Sequence, residues 1–244
     1  MSKLLLLSNS TMPGTSFFAW PKPYVKDFLS PAIKEVVFIP FAAVSISYDV
    51  YVHTVSQAFE SMGYAVRSVH SVSDKKGLLQ NAEAIVVGGG NTFALLDRMY
   101  EEDLLATIRS QVSTGALYIG WSAGANLACP TLKTTNDMPV VMPPSFDALN
   151  LIPFQINPHY HELRFANQGG ETRKERIEEF LLLNPGKKVI GLPEGMLMQR
   201  DVNRLNLRGG GTAKLFESGK PITELRGDSD LSFLLKSQSA DPKV

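Results

Sequence analysis

The stretch Ala116-Leu-Tyr-Ile-Gly120-Trp-Ser122-Ala-Gly124-Ala125 decides how this chain is read. An apolar run, Ala116 to Ile119, ends at Gly120, and a helix-compatible segment, Ala123 to Cys129, follows Ser122. The spacing G-x-S-x-G is that of a nucleophile elbow, a sharp strand-to-helix turn that lifts a serine hydroxyl off the backbone. Such a turn is tight, so the residues around the serine must be small, and Gly120 and Gly124 let neighbouring backbone come close. The helix after the turn aims its unpaired N–H groups and positive dipole end at the serine, which suits an oxyanion. An ordinary strand–turn–helix with a structural serine fits the same five residues, so the rest of the chain has to decide.

Outward from this stretch, strands alternate with helices. Leu4–Leu7, Val36–Ile39, Ala65–Val69 and Ala84–Val87 are short apolar runs of the kind that become buried strands. Helical spacing lies between them, as at 47–62, where Val52, Val55, Phe59 and Met62 fall near one face. This alternation predicts an α/β fold, a mostly parallel sheet with helices on both faces. Ligands of such sheets bind at the carboxyl ends of the strands, where the glycine-rich turns at 88–90 and 120–124 both fall. Beyond Pro130 the chain turns loop-like, then offers a helix over 173–183, a strand at 189–192 and a hairpin of 196–201 with 204–208. Strands near 213–216 and 222–225 give an antiparallel finish. Residues 1–235 read as one domain and 236–244 as a polar tail.

Bulk properties narrow the function classes. The chain has 244 residues, 44% of them hydrophobic, enough for one large core. Its 24 basic and 24 acidic residues cancel, which argues against a general pull on nucleic acid or an anionic membrane. One cysteine, Cys129, supports neither a disulfide framework nor a cysteine metal site, and a reducing cytoplasm is the expected setting. The run Leu4–Leu7 is too short for a signal sequence and reads as a first strand.

A serine nucleophile needs a base, and the chain offers four histidines. His53 falls on the exposed side of an early helix and His70 ends a strand, both ordinary packing or surface positions. His159 sits in Asn157-Pro-His, where Pro158 fixes the backbone before it. His161, two residues on, points to the opposite side if the segment is extended. His159 is therefore favoured. The base needs a carboxylate to hold its tautomer. Glu194, in Leu192-Pro-Glu-Gly195 after a strand, is the first candidate, with Asp137 and Asp147 as rivals. The order serine, histidine, acid, with no histidine after 161, is unlike that of lipases and esterases, which run serine, acid, histidine.

With these residues placed, the chain resembles the peptidase E family of aspartyl dipeptidases (peptidase family S51), on the class I glutamine amidotransferase-like fold. The resemblance rests on LLLLSNSTMP (4–13), FIPFA (38–42), VGGGNTF (87–93), GALYIGWSAGANLACP (115–130), TTNDMP (134–139), QINPH (155–159), GETR (170–173) and VIGLPEG (189–195). Residues 15–34, 160–169 and those beyond about 196 are not matched residue by residue. The resemblance implies a Ser122–His159–Glu194 triad that cleaves dipeptides with N-terminal aspartate, without metal or organic cofactor, in a cytoplasmic homodimer. It further implies Arg173 as the cation for the substrate carboxylate. The backbone N–H groups of Gly89 and Ala123 would form the oxyanion hole, and Gly88, Gly90 and Asn91 would line the site. Asp137 and Glu171 are candidates for the substrate amine, and a loop at 166–170 for closure over the substrate. The alternatives are a cyanophycinase-like hydrolase of β-aspartyl linkages and a non-catalytic aspartate-binding relative.

Overall fold

The computed structural model describes residues 2–163 and 169–236; the loop expected at 166–170 lies mostly outside the described residues, and the tail at 236–244 almost wholly so. In chain order the strands and helices of the first half are β1 (Lys3–Leu7), α1 (Lys22–Leu29), β2 (Glu35–Ile39), α2 (Tyr48–Glu60), β3 (Ala65–Ser68), α3 (Lys75–Gln80), β4 (Ala84–Val87), α4 (Thr92–Glu101), α5 (Leu105–Thr114), β5 (Leu117–Trp121) and α6 (Ala123–Leu127). The second half holds β6 (Gln155–Pro158), α7 (Arg173–Leu183), β7 (Lys188–Leu192), β8 (Leu197–Asp201), β9 (Arg204–Arg208), β10 (Thr212–Glu217) and β11 (Thr223–Arg226).

The apolar runs become interior strands because both their faces are covered. Along β1, Leu4 and Leu6 pack with the α4 and α5 residues Leu95, Leu96, Ile108 and Val112. Leu5 and Leu7 pack on the other side with Val25 of α1 and Val55 and Phe59 of α2. All four leucines have no exposed surface. Each such side chain contributes about 1.5–3 kcal/mol on leaving water, which is why no polar residue interrupts the run. Helices thus cover both faces of the sheet, as expected.

Seven strands form that sheet in the order β3-β2-β4-β5-β1-β8-β9. The five from β3 to β1 are mutually parallel, and β8 joins β1 antiparallel. The expected hairpin is β8–β9, closing at Asp201↔Arg204.

A separation that the alternating pattern did not reveal is that the late strands belong to two sheets. Strands β11-β10-β7-β6 form a second sheet, with β6 and β7 parallel and the rest antiparallel. Its inner residues Ile156, Ile190 and Leu215 join the same core as α4 to α6. Its outer residues Val189 and Phe216 pack against Ile177 and Leu181 of α7. The chain crosses from the second sheet back to the first through Pro193-Glu-Gly195, between β7 and β8. Ser122 thus follows a strand of the first sheet, and Glu194 follows a strand of the second.

Candidate active site

Ser122 follows β5 as the N-cap of α6, with φ 52° and ψ −111°. That conformation is costly for a residue with a Cβ, about 1–3 kcal/mol, and persists only where packing imposes it. The packing here is backbone against backbone. A Cβ on Gly120 would overlap the Gly124 carbonyl, and a Cβ on Gly124 would overlap the Val87 carbonyl at the end of β4. The glycines of the elbow are thereby explained by close approach.

His159 lies one residue beyond β6, also at positive φ, 53°. Its Nε2 is 2.8 Å from Ser122 Oγ and its Nδ1 is 2.7 Å from Glu194 Oε1. An ionised carboxylate only accepts, so Nδ1 carries the proton and Nε2 is left to accept from the serine hydroxyl. The His159 and Glu194 side chains are 34% and 41% exposed, so the pair opens to solvent and a substrate can reach it.

Several buried amides hold β6 in place for this purpose. Asn126 Nδ2 and Thr134 Oγ1 both donate to the Ile156 carbonyl, at 2.8 Å each. Asn157 Nδ2 donates to the Thr134 carbonyl, and Asn136 Nδ2 donates to the Pro158 carbonyl at 2.7 Å. The loop-like residues after Pro130 thus act as a clamp on the strand that ends in His159.

The other histidines fall elsewhere. His53 is exposed and pairs with Gln57 on α2, and His70 is held between Ser68 and Asp49. The extended segment on which the expectation for His161 rested is broken at His159, whose φ is 53°. The His161 imidazole is exposed but pushed toward lower pKa, first by partial burial and then by the charge of Arg173, with Glu194 opposing. Glu194, not either rival acid, is the carboxylate that meets His159. Asp137 accepts from both Thr92 N and Thr92 Oγ1 at the start of α4. Asp147 sits in a loop, bridged to Thr131.

Gly89 lies beside the serine, and a Cβ there would come 3.1 Å from Ser122 Cβ. Among the described residues nothing accepts from Gly89 N or Ala123 N, whereas Gly88 N donates to the Ile39 carbonyl. Asn91 caps α4, accepting from Phe93 N and Ala94 N. Arg173 is the first residue of α7, and Nη1 donates to the Pro158 carbonyl at 3.1 Å, its sole acceptor among the described residues. Burial lowers the Arg173 pKa, and the carboxylates of Glu194 and Asp137 oppose that shift. Glu171 is exposed and pairs with Arg176 at 3.8 Å.

A cavity of about 510 Å³ opens beside the serine. Gly89, Gly90, Asn91, Ser122, His159 and Glu194 line one part, and Phe17, Val44, Ile46, Tyr51 and Trp121 another. Gly88, Ala123, Asp137, Glu171 and Arg173 do not line it.

Two contributions were invisible in the sequence. Ser8, at the end of β1, accepts from His159 N and donates to the Leu192 carbonyl, tying the first sheet to both parallel strands of the second. Tyr51 donates to the Gly89 carbonyl at 3.0 Å and accepts from Trp121 Nε1 at 3.1 Å. The only signal for Ser8 was its place directly after a buried strand. Tyr51 falls within the helical stretch 47–62, whose spacing gives no sign of this role.

Comparison with known proteins gives the family. The family model Peptidase family S51 matches residues 4–207. Peptidase E of Nostoc sp. is 48% identical over 240 residues, covering 98% of this chain and 99% of that protein. Peptidase E of an Escherichia coli strain is 47% identical over 223 residues, covering 91% and 97%. Among solved structures, a candidate peptidase E protein from Listeria monocytogenes superposes with a TM-score of 0.59 at 26% identity, covering 93% of this chain and 98% of that one. A peptidase from an acI-B1 actinobacterium gives a TM-score of 0.68 at 18% identity, covering 96% and 97%, a likeness of fold. With its full-length relatives and a serine elbow on this fold, the chain belongs to peptidase family S51.

Proposed function

We propose that this protein is a serine-type dipeptidase that hydrolyses Asp-X through Ser122, His159 and Glu194. One observation carries the reading: the unbroken hydrogen-bonded line from Ser122 Oγ through His159 to Glu194, at the edge of a cavity of dipeptide size. Ser122 Oγ attacks the peptide carbonyl while His159 Nε2 takes its proton. Glu194 holds the ring and balances the imidazolium charge. The tetrahedral oxyanion is bound by Gly89 N–H and Ala123 N–H, both without another acceptor among the described residues. His159 then gives its proton to the leaving amine as the C–N bond breaks, and an aspartyl ester of Ser122 remains. Water, deprotonated by His159, cleaves that ester and frees aspartate.

Arg173 is the proposed partner of the aspartate side chain. A guanidinium binds a carboxylate through two parallel hydrogen bonds, and Arg173 has donors to spare beyond the one given to Pro158. The support is its position next to His159 and its family motif. Asp137 is occupied by Thr92 and Glu171 is exposed, so neither gains support as the amine ligand from its contacts. The same reading carries the enzyme as a cytoplasmic homodimer; a single cysteine and the family resemblance support it. No helix among the described residues is long and apolar enough to cross a membrane.

The test is a dipeptide panel of Asp-Leu, Glu-Leu, Asn-Leu, β-Asp-Leu and N-blocked Asp-Leu, with Ser122→Ala as control. Selective cleavage of Asp-Leu, lost in the variant, is expected. Preference for the β-linked peptide identifies a β-aspartyl hydrolase, and turnover by Ser122→Ala removes the serine mechanism.

A further inference from the structure

Building on the Asp-X reading, we infer that the cavity beside Ser122 is an acceptor subsite that selects an apolar side chain on the second residue of the dipeptide, through Val44, Ile46 and Phe17. The first support is charge. Among the described residues the cavity lining contains no lysine or arginine, and its one carboxylate, Glu194, is already paired with His159. An aspartate side chain placed there would be desolvated with no cation among those lining residues, which is costly. Arg173 stands outside the cavity, so the aspartate side chain belongs with it and the cavity is left for the other side of the scissile bond.

The second support is exposure that the fold does not explain. Val44 and Ile46 are 61% and 47% exposed, on the short loop between β2 and α2. Their neighbours Ser45 and Ser47 are polar, and Ser47 caps α2, so the loop needs no apolar residue for its own structure. Both residues instead line the cavity, together with the buried Tyr51 and Trp121. Phe17 lines it too, its ring edge-on to Trp121 at 6.4 Å between centroids. An aliphatic or aromatic side chain entering this space covers apolar surface that is otherwise wet. The hydroxyls of Ser10, Thr11 and Ser45, also in the lining, can donate to the free carboxylate of the dipeptide.

The experiment compares kcat/KM for Asp-Leu, Asp-Phe, Asp-Gly, Asp-Lys and Asp-Asp in the full chain and in the double variant Val44→Ser, Ile46→Ser. Both positions are on the surface, so the variant is expected to fold. Wild type should favour Asp-Leu and Asp-Phe over Asp-Gly by about tenfold or more, with Asp-Lys and Asp-Asp lowest. The Asp-Leu to Asp-Gly ratio should fall by about tenfold in the variant. A flat ranking in wild type, or an equal loss on every substrate in the variant, overturns the subsite while leaving Asp-X hydrolysis standing. Failure to cleave any Asp-X peptide overturns the dipeptidase reading itself, and this inference with it.

Discussion

The Ser8 hydroxyl accepts the backbone N–H of His159 at 2.8 Å across 151 residues of chain, and donates to the Leu192 carbonyl at the same distance. One side chain at the end of β1 therefore sets where β6 and β7 end relative to the sheet that carries Ser122. It does so at the residue that must adopt positive φ. Without that bond, His159 N would be an unpaired donor, and relaxing the turn would carry the imidazole away from the serine.

Ser8→Ala should accordingly cost stability and rate together. Leaving a buried donor and acceptor unmatched costs about 1–3 kcal/mol, a fall in Tm of roughly 3–10 °C for a chain of this size. The value of kcat should drop more than KM rises. Thermal melts and steady-state kinetics on Asp-Leu check both, and an unchanged Tm and kcat would show that Ser8 positions nothing.

Glu194→Gln keeps the shape of the side chain and lets the amide hold the wrong imidazole tautomer. A fall in kcat of about 10²- to 10⁴-fold is expected. A change within about threefold would mean that the carboxylate is idle.

Tyr51→Phe removes the donor to Gly89 and the acceptor for Trp121 Nε1 while keeping the ring in the core. The Gly88–Gly90 turn then loses one restraint, and kcat should fall about tenfold, equivalent to about 1.4 kcal/mol in the barrier, with KM changed little. Burial pushes the Tyr51 phenol well above its ordinary value. The raised pKa favours the neutral O–H, so the hydrogen bond to Gly89 persists as pH rises through the range where free tyrosine ionises. Wild type and Tyr51→Phe should then share the same alkaline limb in their pH–rate profiles.

Arg173→Lys keeps a positive charge and loses the planar fork. Selectivity for Asp-Leu over Asn-Leu, measured as a ratio of kcat/KM, should shrink by about tenfold or more. An unchanged ratio would assign aspartate recognition to another group.

Cys129, on the far side of α6 from the serine, should be chemically silent in the folded protein. Complete burial pushes its thiol up to about 12, so thiolate is nearly absent at pH 8. Reaction with a thiol reagent at that pH should be negligible in buffer and stoichiometric after unfolding.

Short-range physics enforces the features that are legible along the chain. Continuous apolar runs specify strands covered on both faces, and small residues at 120 and 124 specify a turn where carbonyls crowd the backbone. What a serine nucleophile requires put His159 and Glu194 first among the candidate partners of Ser122, with Asp137 and Asp147 as rival acids. The three-dimensional fold splits the late strands into two sheets, so that Glu194 approaches from the crossing between them. It alone revealed the bond from Ser8 to His159 N and the line from Trp121 through Tyr51 to Gly89. Those contacts join residues far apart in the chain, and no local periodicity or turn composition encodes which distant polar groups meet. Their partners are fixed only when burial leaves each buried donor and acceptor no water to turn to.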